Sequence, residues 1–178
     1  WLDDTPNHAG IPMDATSGLQ KFEGPDPAYW CNHGYAIINP DVRGAYNSEG
    51  IILFFGSDYG RDGADIIEWA ASRQWCNGKI GMSGNSWLAI SQWFVAAQKP
   101  KHLAAIAPWE GLSDCYREIA TRGGVMMPEF VKMLSDSFAS TENGGIEDVI
   151  AMMNKQPTIC SWWEDKEADL EAIDIPAY

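Results

Sequence analysis

The chain has 178 residues, 46% of them hydrophobic and 21% charged, enough for one sizeable core and unlike a disordered segment. Lys and Arg total 12 against 25 Asp and Glu, a formal net charge of -13 with no basic cluster, so neither nucleic acid nor an anionic membrane is expected as a partner. No apolar run reaches the length of a membrane span, and no basic head followed by an apolar stretch opens the chain, which favours a cytoplasmic over a secreted protein.

Residues 1–33 are rich in Pro, Gly, Asp and Asn and read as extended loop with a short helix. Gly34 to Pro40 is an apolar run without polar alternation, which suits a strand buried on both faces. A Gly-containing polar loop follows at 41–50. Ile51 to Phe55 is a second apolar run whose state the following Gly-Ser-Asp-Tyr-Gly leaves open. From Ala64 to Trp75 the spacing of Ile67, Ala70 and Ala71 predicts a helix.

Lys79 to Ser83 reads as a strand, Trp87 to Gln98 as a helix and Leu103 to Ala107 as a further strand closed by Pro108. Strand, helix, strand, helix, strand in that order points to an α/β fold with a doubly wound, mostly parallel sheet. Beyond Pro108, helical stretches at Ser113–Thr121 and Glu129–Phe138 are separated by Gly pairs at 123–124 and 144–145, and the next strand signal is Ile173 to Tyr178. Residues 1–110 are therefore expected to form part of a sheet core, 111–165 a helical insertion, and 166–178 a return to the core. The start at Trp1 and the stop at Tyr178, where a new apolar segment opens, read as the ends of a piece of a longer chain.

Cys31, Cys76, Cys115 and Cys160 form no C-x-x-C pair, so they are expected as buried free thiols rather than zinc or redox ligands, and no metal or other cofactor is implied. The nine Trp fit an aromatic-lined pocket, a core or a covered interface equally well.

The chemically informative run is Gly81-Met82-Ser83-Gly84-Asn85-Ser86-Trp87-Leu88-Ala89, lying between a strand and a helix, the setting of a nucleophile elbow. Ser83 and Ser86 compete. A helix starts readily after Ser86, whereas one starting after Ser83 would hold Gly84 and Asn85 in its first turn. The plain alternative is that Ser86 simply caps the helix. As a nucleophile, Ser86 would attack a carbonyl carbon while the Trp87 backbone N–H meets the developing oxyanion. Its hydroxyl needs a base, and His8, His33 and His102 are poorly placed: two precede the serine, and His102 lies at the wrong end of its strand.

Asp41-x-Arg43-Gly44, Ser48-Glu49-Gly50, Asp65 to Trp69, Trp75-x-Asn77 through Trp87, Ala107 to Gly111, Asp114, Tyr116-Arg117 and Arg122-Gly123-Gly124 occur in the order found in one family. From residue 30 to 178 the chain closely resembles the Xaa-Pro dipeptidyl-peptidase-like (CocE/NonD) serine hydrolases. That resemblance implies an α/β-hydrolase fold with a helical cap at 111–165, and Ser86 as nucleophile in a G-x-S-[YW]-x-[GA] run. It also implies the Trp87 amide as one oxyanion donor, and an acyl-enzyme formed from a small ester, an amide or a short peptide. The family's second donor, a Tyr after Pro in an earlier loop, has no match here. Its Asp and His would come from the remainder of the same enzyme. Trp109 and Glu110 are candidates for the substrate pocket wall, and Asp41 and Arg43 for bracing a loop. An Xaa-Pro dipeptidyl-peptidase and a non-catalytic binding module on the same scaffold stay open as alternatives.

Overall fold

The centre of the molecule is the run 80–109, where two strands and the helix between them carry the strictest apolar pattern. A computed structural model describes residues 13–21, 23–138 and 145–178. Strand β1 (Ile80–Asn85) and strand β2 (Leu103–Trp109) pair in parallel across helix α3 (Trp87–Ala97), with Met82 opposite Ile106 and Asn85 opposite Trp109. On the other edge of β2, Ala177 makes a parallel bridge to Ile106. The sheet among the described residues is thus two strands and a bridging third line, an α/β arrangement smaller than the doubly wound sheet expected.

Pro108 does not end β2. Ile106 turns its N–H and C=O to Pro176 and Tyr178 on the far edge, and Pro108 shares its parity, so the N–H that proline lacks is not one β1 would use. The run 34–40 is a correction of a different kind. Apart from Ile37 it is exposed, without a ladder partner, and forms no strand. Ile51–Phe55 likewise contributes only a parallel bridge from Ile52 to Ile146.

Before these strands lie helix α1 (Pro27–Asn32), capped by Asp26, and helix α2 (Ser57–Ala71). The latter begins seven residues earlier than the expected Ala64. Gly60 and Gly63, which disfavour a helix by about 1 kcal/mol each relative to Ala, hide its first turns in the sequence. They are used because α2 lies against α3: a Cβ on Gly60 would overlap the Phe94 carbonyl, and one on Gly63 would overlap the Val95 side chain. Helix α3 is in turn covered on two sides. Ile90 and Phe94 enter one core with Phe54, Phe55, Ile119 and Trp163, while Val95 and Ala96 enter another with Ile67, Leu103 and Ile106.

The expected helix at 113–121 is instead a single π turn (Tyr116–Ala120) running into a short hairpin, β3 (Thr121–Arg122) and β4 (Val125–Met126). Gly123 and Gly124, at φ +57° and +84°, supply the two left-handed positions that a two-residue hairpin turn needs. Helices α4 (Pro128–Phe138), α5 (Val149–Lys155) and α6 (Ser161–Glu164) follow. The four cysteines are unpaired, but only Cys115 is buried and Cys31 is exposed, so the expectation of buried thiols fails for most of them. Burial pushes the Cys115 thiol well above its ordinary value.

An ion pair of a buried lysine and a half-buried glutamate joins the later helices to the core. Lys166, 3% exposed, donates to Glu147 Oε2 at 2.7 Å and to the Phe55 carbonyl at 3.1 Å, beneath the Trp162 ring. The same Glu147 oxygen accepts the Phe54 N–H at 2.9 Å. Removing one member of such a pair strands a charge, so Lys166→Ala is expected to cost about 3–5 kcal/mol in urea unfolding. The double change Lys166→Met with Glu147→Gln, which keeps an acceptor for Phe54, should recover most of that loss. Gly60→Ala should lose about 1–3 kcal/mol by overpacking α2 against α3. An unchanged urea midpoint would mean that the two helices separate freely.

Candidate active site

Strand β1 ends at Asn85 and α3 begins at Trp87, so Ser86 alone makes the corner. Its backbone sits at φ 54°, ψ −118°, a sparsely populated region for a residue with a Cβ. Three hydrogen bonds hold it there: its N–H donates to the Trp109 carbonyl at 3.0 Å, and its own carbonyl accepts from Ala89 and Ile90 at 2.9 Å each. Ser86 occupies the N-cap position, yet its side chain makes no capping hydrogen bond and the residue is exposed. Ser83, the competing serine, lies inside β1 opposite Ala107.

The small residues around the corner follow from its tightness. A Cβ on Gly84 would stand 2.5 Å from the Leu88 Cβ, so Leu88, which replaces the second glycine of the simple elbow pattern, fits because Gly84 leaves room. Ala89 is fully buried, and a Cβ on Gly111 would come within 2.9 Å of its methyl.

Trp87 is the first residue of α3, which puts its amide at the positive end of the helix beside Ser86. Its ring is set by aromatic neighbours, with Phe55 at 4.3 Å and Phe54 edge-on at 5.4 Å between centroids. Its Nε1–H donates to the Tyr59 hydroxyl at 3.2 Å. Burial raises that hydroxyl to about 12, so it stays protonated throughout the neutral range. Gln92, with no exposed surface, joins α3 to β2: its Nε2 donates to the Leu88 and Ala107 carbonyls, and its Oε1 accepts the Ala107 N–H.

Trp109 closes β2 and is 54% exposed, and Glu110 follows it at φ 52°, so both stand at the edge where Ser86 emerges. One residue that the sequence did not mark lies beside them. Glu23 reaches Asn85 from the N-terminal loop, accepting its side-chain amide at 3.1 Å, and partial burial with the nearby Glu110 charge raises the Glu23 carboxyl above its usual range. The Asn85 side chain is thereby committed to Glu23. The clefts over Glu129–Ser137 and between Lys99 and Asp174 do not include Ser86 in their linings.

None of the described histidines stands at this corner. His102 precedes β2, its Nδ1 2.7 Å from Glu68 on α2, at the end of the strand opposite Ser86. His33 is exposed and bonded to the Tyr29 carbonyl, and His8 lies outside the described residues. Arg43 forks onto Asp62 of α2 at 2.6 and 2.8 Å, and the Asp41 carbonyl accepts from Ser48, so both brace the 41–50 loop.

A serine at a strained strand-to-helix corner, beside a helix amide and at the carboxyl end of a parallel pair, is the arrangement of the α/β hydrolases. The chain belongs to the X-Pro dipeptidyl-peptidase (S15) family, whose model matches residues 3–174. Its backbone superposes on a CocE/NonD family hydrolase from Staphylococcus aureus with a TM-score of 0.85 at 35% identity, covering 93% of this chain and 30% of that one. It is 31% identical over 125 residues to a serine esterase relative from Mycobacterium bovis, covering 70% of this chain and 20% of the relative. To the cocaine esterase of a Rhodococcus species it is 38% identical over 84 residues, 47% of this chain and 14% of that enzyme. The chain thus spans about a fifth of the length of the first of these curated relatives.

The His102 hydrogen bond holds the Glu68 carboxyl below its usual range. A depressed carboxylate contributes stability that is present above its unfolded value and lost as pH falls through the folded one. Thermal melts of His102→Ala against pH should therefore match wild type at the acid extreme and fall below it as pH rises past the ordinary carboxylate range. A constant offset at every pH would refute this linkage.

Proposed function

We propose that this chain carries the nucleophile elbow of a serine hydrolase that cleaves an ester or amide through an acyl-enzyme on Ser86. The observation that supports it best is the backbone of Ser86, which accepts a strained conformation and leaves its hydroxyl uncapped and exposed. In this reading Oγ adds to the carbonyl carbon as a base takes its proton. The Trp87 N–H, aligned with α3, stabilises the oxyanion, the leaving group departs protonated, and water then releases the acyl group. Trp109 and Glu110 wall the substrate side. Residues 1–110 form the hydrolase core, 111–165 a helical cap and 166–178 the return to the core. The orienting acid and the base follow the fold's chain order of serine, acid, histidine and come from the remainder of the enzyme.

An ester substrate is favoured over an Xaa-Pro peptide because two of the relatives above bear esterase names. Both reactions share the same elbow, so turnover of an aryl ester against an Xaa-Pro anilide separates them. The lack of an imidazole beside Ser86 among the described residues favours a second reading, a binding module that keeps the scaffold without the chemistry.

Treating the full-length protein with a fluorophosphonate and mapping the adduct by mass spectrometry is expected to find Ser86 modified. Ser86→Ala should lower kcat/KM on the order of 10⁴-fold or more, whereas His102→Ala should leave it unchanged. An adduct on another serine, or none, sinks the acyl-enzyme reading in favour of the binding module. The isolated 178-residue chain is expected to resist labelling.

A further inference from the structure

Ser86 pays a conformational penalty on the order of 1–3 kcal/mol, and such strain persists only where the surroundings over-determine it. On the β2 side the restraint is the Ser86 N–H bonded to Trp109. Successive N–H groups of a strand point to opposite edges, so the N–H of Asn85 faces the edge of β1 away from β2. Among the described residues no strand pairs with β1 there. The acceptor is instead the Glu23 carbonyl, 3.3 Å away, and the Glu23 carboxyl takes the Asn85 side chain as well.

Glu23 presents both groups to one residue from a left-handed backbone, at φ 61°. The loop that carries it is braced for the purpose. Asp26 accepts the Ser17 N–H at 2.8 Å and the Ser17 hydroxyl at 2.6 Å while capping α1 through the Ala28 N–H. Gly24 donates its N–H to the Lys21 carbonyl and lies near the Leu88 side chain.

From this geometry we infer that Glu23 is a positioning residue for Ser86: it latches the N-terminal loop onto the last residue of β1 at the corner. The inference rests on the reading of Ser86 as nucleophile. With the carboxyl latch open, Asn85 keeps only the 3.3 Å backbone bond on that edge, the strained serine relaxes, and Oγ moves relative to the Trp87 amide. The hydrogen-bond acceptor carries this role rather than the charge. A carboxylate here is partly desolvated and lies near Glu110, so an amide oxygen at the same place serves equally well.

The test compares Glu23→Ala, Glu23→Gln and Glu23→Asp in the full-length protein by fluorophosphonate labelling rate, kcat and KM for an ester, and melting temperature. With wild type labelled at Ser86, Glu23→Ala is expected to slow labelling and kcat by about tenfold to a hundredfold with little change in KM, as misplacement by about 1 Å does. Glu23→Gln should restore both to near wild type. Glu23→Asp, too short to reach Asn85 from the same backbone, serves as the second latch-free variant should Glu23→Ala fail to fold. Labelling of Glu23→Ala or Glu23→Asp at the wild-type rate overturns the latch. So does a glutamine variant as slow as alanine, which would make the charge the active feature. Absence of any wild-type adduct on Ser86 is a different failure, that of the nucleophile assignment, and removes the positioning role with it.

Discussion

One backbone hydrogen bond, from the Ser86 amide to the Trp109 carbonyl, fixes where three pieces of chain must meet: the end of β1, the start of α3 and the end of β2. A chain that leaves a strand and enters a helix within one residue brings the helix's first turn back over the strand. Every side chain near that point then competes for the same space. Gly84 has none, Leu88 lies in the room it leaves, and Ala89 is closed in against Gly111. The requirement extends along α3. Because the helix must remain over both strands, it is buried on two faces. Gln92 meets the remaining polar demand by bonding to the backbone of β2 rather than to water.

A second constraint holds the aromatic floor under Trp87. Phe55 has φ 62° and its ring meets Trp87 and Phe94. Lys166 takes its carbonyl, Glu147 takes the N–H of Phe54, and Asp165 faces the Ser57 N–H at the start of α2. Residues more than ninety positions later in the chain thus set the backbone of 54–57. Segment 111–168 is therefore coupled to the elbow through packing and buried charge, and whatever it covers, it also supports.

The parts of the fold legible in the sequence were those with local causes. Helix α3 and strands β1 and β2 show as apolar periodicity bounded by turns, and the corner at Ser86 shows as a small-residue motif between them. What stayed hidden depended on partners distant in sequence. The start of α2 was obscured by Gly60 and Gly63, whose reason lies on α3. The run 34–40 has the composition of a buried strand, but composition does not supply a ladder partner. The π turn at 116–120 follows from tertiary restraints, since Thr121 bonds back to the Tyr116 carbonyl and Cys115 to that of Lys166. At the candidate site, Ser86, Trp87, Trp109 and Glu110 were named from their position relative to strand ends. Glu23 was not, because sixty-two residues separate it from Asn85 and an acidic residue in a Pro- and Gly-rich loop carries no signal by itself. A buried polar residue such as Gln92, on a mostly apolar helix, was a missed position with a readable hint.

The parallel direction of the sheet gives these pieces their chemical meaning. Parallel strands share a carboxyl end, so Ser86, Glu110 and the bridged segment reaching Tyr178 all emerge on one edge, while His102 and its Glu68 partner are confined to the other. In the proposed acyl transfer the attacked carbonyl needs an oxyanion donor and the attacking hydroxyl a proton acceptor. The first can be local, because a helix amide follows the serine directly. The second cannot: the elbow's own neighbours are committed, with the Asn85 side chain bonded to Glu23 and the Ser86 amide to β2. In the proposed reaction the proton acceptor comes from another line of the sheet, at its carboxyl edge. The division between a local electrostatic half and a distant proton-transfer half follows from the corner's tightness, which leaves no room for both in a single turn.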